Sequence, residues 1–433
     1  MQTILGISAF YHDSAAALIV DGQVIAAAQE ERFNRQKNSA EFPKMAIQYC
    51  LEEAGLELED LDVIVFYDKP LLKFERLLQT YYAFAPKGLI SFLKAIPVWL
   101  SEKLFFRRTI QNALKQIGHY DPNKTKLLFS KHHLSHAASA FYPSGFTEAA
   151  ILTIDGVGEW STATICHGQQ TQIKELRTLH FPHSVGLLYS AFTYFLGFKV
   201  NNGEYKLMGL APYGNAAGTQ TKHFIKLITQ QLVDIKLDGS IHLNQAYFRY
   251  ATGLKMIHEG KWTSLFGFPK RQSESAFTQQ HYDLAQAIQQ VTETIILKMA
   301  TTAKALTQAP NLCLAGGVAL NCVANGKLKT SSLFKQIYVQ PAAGDAGSAL
   351  GAALATQYLY ANNEVKDFNP IFLGPAFGRK AILKMQRKVR AKGKVYDNKE
   401  ELCAFIAQKL ADQKIVGWFQ GRMEFGPRAL GNR

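Results

Sequence analysis

Apolar positions open the chain in two short runs split by a polar turn. Residues 4–7 read as a buried strand and residues 14–20 as a second. Asp21-Gly22 is a two-residue hairpin signal, and residues 23–28 return as a third strand. The pattern recurs further on: residues 151–154, the turn Asp155-Gly-Val-Gly158, then residues 161–166. Aligned without a gap, Ile4 falls on Ile151, Ile7 on Ile154, Ser14 on Ser161 and Ala16 on Ala163.

Two strand–turn–strand units, each opening a half of the chain, predict an α/β fold with a duplicated actin-like (ribonuclease H-like) two-lobed domain. In such a fold a nucleotide lies in the interlobe cleft, and glycine-rich turns let backbone N–H groups approach its phosphates. Leu284, Ile288, Val291, Ile295 and Met299 recur at helical spacing and predict a helix over 282–306, stopped by Pro310. Residues 311–315 then form a strand that runs into Gly316-Gly317 and a helix over 319–330, whose positive end suits an anion. Asp345 precedes a small-residue helix over 346–355.

These elements divide the chain into a first lobe at 1–147 and a second at 148–358, with a polar linker at 359–376. A new pattern at 377–433 predicts a helix over 399–412 and a strand over 414–419. About sixty residues closing on a rich motif read as an incomplete domain.

Composition narrows the class. The 433 residues are 47% hydrophobic and 19% charged, with five scattered cysteines and no Cys-x-x-Cys pair. That usage suits a reducing compartment, and a cytoplasmic location is expected. The stretch 88–106 is too short and too charged to span a bilayer, and reads as an amphipathic helical insertion. A net charge of +14 fits either nucleic acid or phosphorylated small molecules. Its densest runs lack the interleaved aromatics of a base-stacking surface. Charge alone does not decide between the two; small-molecule partners rather than nucleic acid are the expectation, and a homo-oligomer is left open.

Four clusters carry chemistry. His132 and His136, four apart, share one helix face, although that spacing also describes paired core histidines. With Asp345 they would form a site for a divalent cation acting as a Lewis acid, Fe(II) foremost and Mn(II) or Zn(II) as alternatives. Asp155 and Gly156 end the second repeat's first strand, where a metal contact through water or phosphate is expected. In residues 201–214, Glu204 and Lys206 would serve the ribose and the phosphates of a nucleotide, opposite Gly316, Gly317 and Asn321. In the first repeat's turn His12 is a candidate general base oriented by Asp13, and Lys37 is a candidate anion contact. Arg422, Arg428 and Arg433, interleaved with glycines, suit bidentate phosphate recognition.

HHLSHA (132–137), DGVGEWS (155–161), NNGEYKLMGLAPYG (201–214), LAGGVALNCVANGKL (314–328), GDAGSALGAA (344–353) and GRMEFGPRALGNR (421–433) occur in this order. The chain resembles the O-carbamoyltransferases of nodulation and antibiotic biosynthesis. The resemblance implies an N-terminal domain akin to threonylcarbamoyl-transfer proteins and a YrdC-like C-terminal domain, of which only the start is present. It further implies that carbamoyl phosphate and ATP, with Mg²⁺ accompanying the ATP, form carbamoyl-adenylate, from which the carbamoyl group passes to an acceptor hydroxyl. Carried onto this sequence, His132, His136 and Asp345 become metal ligands beside Asp155. Glu204, Lys206, Gly316, Gly317 and Asn321 become nucleotide contacts, and Arg422 and Arg428 the start of the carbamoyl-phosphate site. A tRNA threonylcarbamoyl transferase and a non-enzymatic actin-like ATPase module are the competing readings.

Overall fold

The computed structural model describes residues 2–93, 105–361 and 371–428. Its frame is two five-stranded sheets with the same strand order. The first sheet holds β1 (Thr3–Ser8), β2 (Ala15–Val20), β3 (Gln23–Gln29), β4 (Val63–Phe66) and β5 (Lys126–Phe129), in the order β3-β2-β1-β4-β5. The second holds β6 (Glu148–Ile154), β7 (Ser161–Gln169), β8 (Gln172–His180), β11 (Asn311–Ala315) and β12 (Gln336–Val339), in the order β8-β7-β6-β11-β12. Between them in sequence, β9 (Val233–Ile235) and β10 (Ile241–Leu243) form a small separate ribbon.

In each sheet three antiparallel strands are followed by two parallel ones. Register repeats as well: Ile7 pairs with Ala16, and Ile154 pairs with Ala163. The gap-free repeat in the sequence is therefore a duplicated hairpin, and the fold is the expected two-lobed α/β arrangement.

The helices that build the site are α1 (Lys44–Ala54), α2 (Pro70–Phe84), α3 (His132–Phe141), α4 (Val185–Phe195), α5 (Glu204–Leu210), α6 (Gln279–Thr307), α7 (Cys322–Thr330) and α8 (Asp345–Ala355). The apolar face of α6 buries Leu284, Ile288, Val291, Ile295 and Met299 in the second lobe's core. The predicted helix after Gly316-Gly317 starts later than expected. A 3₁₀ turn over Gly317–Leu320 comes first, and Asn321 then caps α7 by accepting from the N–H of Ala324.

Helix α8 falls within the 148–358 segment in sequence but packs on β1 and β2 of the first lobe, joining that lobe's core through Ala346, Ala349, Leu350 and Ala353. Its other face lies against α3, which packs on β6 and β11. The α3–α8 pair is thus the seam between the lobes.

Beyond Ala361 the described chain has helices α9 (Arg379–Lys388) and α10 (Lys399–Ala411), neither of which buries a residue. The strand expected at 414–419 does not form. Among the described residues no neighbouring strand supplies backbone partners there, and an isolated strand is not stable in water. Among the described residues no helix is long and apolar enough to cross a membrane. Most of the predicted 88–106 insertion lies outside the described residues, as does the greater part of the 359–376 linker.

Candidate active site

The seam brings four acidic and imidazole side chains together. His132 and His136 lie one turn apart on α3, Asp345 is the first residue of α8, and Asp155 follows β6. One donor atom from each falls within 4.8 Å of all the others. The two Nε2 atoms are 3.1 Å apart, and Asp155 Oδ2 is 2.9 Å from His132 Nε2. Asp345 Oδ1 lies 3.8 Å from His132 Nε2 and 3.7 Å from His136 Nε2.

Three of the four are oriented through their own side chains. Ser348 Oγ stands 3.1 Å from His136 Nδ1, leaving Nε2 to face the group. Tyr67 donates to Asp345 Oδ2 at 3.2 Å, and the N–H of Gly317 donates to Asp155 Oδ1 at 3.0 Å. The far nitrogen of His132, Nδ1, is buried and has no hydrogen-bond partner among the described residues.

Electrostatics set the character of the site. Burial, the largest influence on Asp155, would raise its pKa, but the adjoining His132 and His136 hold its carboxyl well below the usual range. Burial raises Asp345, with His12 opposing and Asp155 reinforcing. Burial pushes His132 well below the usual imidazole range. Two buried carboxylates this close are costly unless a positive charge joins them. Two imidazole nitrogens and two carboxylate oxygens are a donor set that suits a divalent first-row cation.

His12 lies beside this group. Its Nδ1 is 3.0 Å from Asp13 Oδ2, and its Nε2 is 3.8 Å from Asp345 Oδ2. Burial lowers its pKa, but Asp345, Asp13 and Asp155 outweigh that and raise it to about 9. Asp13 also accepts from Asn38 at 2.7 Å. His133, the middle histidine, points away, with Nδ1 2.6 Å from Thr153 Oγ1 and Nε2 2.9 Å from the carbonyl of Ser161.

Beside the four-donor group, and reaching it at Asp155, a cavity of about 210 Å³ opens between the lobes. His12, Asp13 and Lys37 line it from the first lobe; Asp155, Gly156, Glu204, Gly317 and Asn321 line it from the second. Arg428 joins them from the C-terminal segment. Lys37 Nζ lies 4.6 Å from the Tyr205 ring centre, and the Arg428 guanidinium 5.0 Å from it. Neither cation forms an ion pair within 4 Å among the described residues. Asn321 exchanges two hydrogen bonds of 3.0 Å with Gln289, which also accepts from Tyr189 at 2.9 Å.

Three sequence expectations are corrected here. Residues 204–206 are not a loop: they begin α5, and Glu204 accepts from Ser190 and from the N–H groups of Asn201 and Gly203. On that helix Glu204, Tyr205 and Met208 face the cavity, whereas Lys206, turned about 200° from Glu204, is exposed and does not line it. Gly316 does not line the cavity either. Its φ is +88°, a Cβ there would meet the carbonyl oxygen of Ile154 at 2.3 Å, and its N–H donates to Ala343. It is a packing glycine. Arg422 is occupied structurally: its guanidinium donates to the carbonyls of Gly374 and Ile25 and to the Tyr49 hydroxyl, and pairs with Glu53 at 3.3 Å. It fastens the C-terminal segment to the first lobe. Arg433 lies outside the described residues.

Sequence reasoning missed Glu159, Tyr67, Ser348 and Tyr205. Glu159, Tyr205 and Ser348 stand inside the DGVGEWS, NNGEYKLMGLAPYG and GDAGSALGAA motifs, which were the available signal; Tyr67 lies in none of them.

The family description "Carbamoyltransferase N-terminus" matches residues 3–354, and "Carbamoyltransferase C-terminus" matches residues 407–433. An uncharacterized protein of Synechocystis is 54% identical over 444 residues, covering 100% of this chain and 70% of the relative. The nodulation protein NolNO of Sinorhizobium fredii is 37% identical, covering 98% of this chain and 58% of its own length. NolO of Bradyrhizobium diazoefficiens is 35% identical, covering 70% and 52%. The chain thus spans between about half and 70% of these relatives. Among solved structures, HypF of T. kodakarensis aligns at TM-score 0.41 and 13% identity, covering 84% of this chain and 49% of that one. Two matching segments and these relatives agree: the chain belongs to the carbamoyltransferase family.

Proposed function

We propose that this chain carries the transfer site of an ATP-dependent O-carbamoyltransferase. In this reading it moves a carbamoyl group from carbamoyl-adenylate, made from carbamoyl phosphate and ATP, to the hydroxyl of a small-molecule or sugar-containing acceptor. The observation that carries the reading is the four-donor group adjoining, through Asp155, a cavity lined by both lobes.

His132, His136, Asp155 and Asp345 would hold a divalent cation, which when bound supplies Lewis acidity toward the carbamoyl oxygen. Lys37 and Arg428, two cations on the cavity wall, suit the adenylate phosphate. Asn321, Tyr189 and Glu204 offer polar contacts to the nucleoside from the second lobe. His12 sits beside Asp345, held by Asp13, and the carboxylates around it outweigh burial and favour its protonated form. A cation bound among those carboxylates would offset them and leave the imidazole free to receive the proton leaving the acceptor hydroxyl. Holding both partners in one cleft lowers the entropic cost of their encounter.

Formation of carbamoyl-adenylate is assigned to a YrdC-like C-terminal domain that residues 377–433 would begin. That division is tested by giving the purified chain carbamoyl phosphate and ATP. It should bind a non-hydrolysable ATP analogue and Mn²⁺ yet leave carbamoyl phosphate unconsumed; consumption at an enzymatic rate would refute the division.

A further inference from the structure

Glu159 is buried, at 7% exposure, and neither the donor group nor the cavity lining includes it. Its carboxylate accepts from the backbone N–H of His132, at 3.0 and 3.2 Å, and from that of Lys69 at 2.9 Å. These are the leading N–H groups of two helices. His132 is the first residue of α3, and Lys69 is the N-cap of α2. Neither helix end has a side-chain cap of its own, so one carboxylate serves both positive ends.

Glu159 comes from the same turn as Asp155. That turn grips His132 at two places, Asp155 at the imidazole Nε2 and Glu159 at the backbone. Gly158 between them lies so close that a Cβ would be 2.9 Å from the His132 Cβ. Helix α2 holds the turn in return: Arg76 Nη1 donates to the carbonyl of Gly158 at 2.5 Å.

The other three members of the donor group are oriented through their side chains, whereas His132 Nδ1 has no partner among the described residues. The placement of His132 therefore falls to its backbone, and its backbone is held by Glu159. We propose that Glu159 is a positioning residue that sets His132 within the donor group and couples occupancy of that group to the placement of α2. This rests on the metal reading of the donor group.

The coupling matters because of what α2 presents near the site. Lys73 lies 5.7 Å from the Tyr11 ring centre and 5.4 Å from that of Tyr67, and Tyr67 holds Asp345. A cation that fixes His132 thereby fixes, through one carboxylate, the helix that carries Lys73 and Arg76.

The test uses Mn²⁺ with the whole chain. Mn²⁺ should slow hydrogen exchange at the amide of Lys69, a residue outside the donor group. In Glu159→Gln that protection should vanish and Mn²⁺ affinity should fall roughly tenfold, the usual effect of losing an outer partner. Thr294→Ala, on the exposed face of α6, should leave Mn²⁺ affinity unchanged. Failure of the native chain to bind Mn²⁺ would remove the metal reading itself. Native Mn²⁺ binding with unaltered Lys69 exchange, or equal affinity in a folded Glu159→Gln, would overturn the positioning role alone. A Glu159→Gln chain that does not fold leaves the exchange measurement on the native protein to decide.

Discussion

Gly351 of α8 sits against Ser135 of α3 so tightly that a Cβ would stand 1.8 Å from the Ser135 carbonyl oxygen. No side chain larger than hydrogen fits without separating the two helices. That separation would move Asp345 away from His132 and His136, because the three side chains lie on the helices that meet there. Gly351→Ala should therefore lose about 3 kcal/mol in denaturant unfolding, at the upper end for overpacked cores. It should also weaken Mn²⁺ binding. Unchanged stability together with unchanged binding would show that the seam is not what assembles the site.

Ser348 faces His136 Nδ1. Ser348→Ala leaves that nitrogen without its partner and should lower Mn²⁺ affinity roughly tenfold. His136→Ala should abolish it. His133→Asn, by contrast, removes a ring whose hydrogen bonds go to Thr153 and Ser161 and whose nitrogens face away from the donor group, so the bound Mn²⁺ per chain should not change. A titration of all three variants separates metal ligand, outer partner and structural neighbour.

Lys37 and Arg428 line the cavity, while Lys206 projects from the outer face of α5. Lys37→Gln and Arg428→Gln should each weaken an ATP analogue by about 1.5 kcal/mol, the low end for a hydrogen bond to a charged group. Lys206→Gln should shift the same isotherm less than twofold. The reverse ranking would mean that the phosphates lie elsewhere.

The histidine pair His183 and His242 predicts a pH effect away from the site. Their rings are 4.1 Å apart, and His183 Nδ1 accepts from the N–H of Leu243 at 3.1 Å. Burial first, and His242 second, hold the His183 pKa below its ordinary 6.5. The unfolded chain then binds the proton more readily than the folded one. The contribution of His183 to stability is complete above pH 6.5 and declines as pH falls through its folded pKa. A His183 titration followed by NMR should give a midpoint under 6.5, and His183→Gln should flatten the stability curve there. A midpoint at or above 6.5 would contradict this.

Much of the frame was legible because its signals are local. The paired hairpins share one register, so a gap-free repeat in the sequence becomes the same strand pairing twice. The stripe from Leu284 to Met299 and the stop at Pro310 needed no tertiary information. His132, His136 and Asp345 were found through motif spacing and resemblance.

What escaped depends on which way a side chain turns once helices pack. Glu204 and Lys206 differ by two positions, which on a helix puts them on nearly opposite faces; read as a loop, both could be aimed at one nucleotide. Arg422 looked like a phosphate ligand among glycines, yet it is absorbed by carbonyls of residues 25 and 374, nearly four hundred and about fifty positions away. The 414–419 segment has strand composition but finds no neighbour to pair with among the described residues. Glu159 was visible within its motif, but its two partners are backbone amides, which carry no sequence signature.

The account stands or falls on whether one cation joins the two helices at the seam. Crystals of the chain grown with Mn²⁺ and measured for anomalous scattering would show it directly. The account predicts a single strong peak bonded to Nε2 of His132 and His136 and to carboxylate oxygens of Asp155 and Asp345. A peak elsewhere with this position empty, or no peak at saturating Mn²⁺, would contradict it.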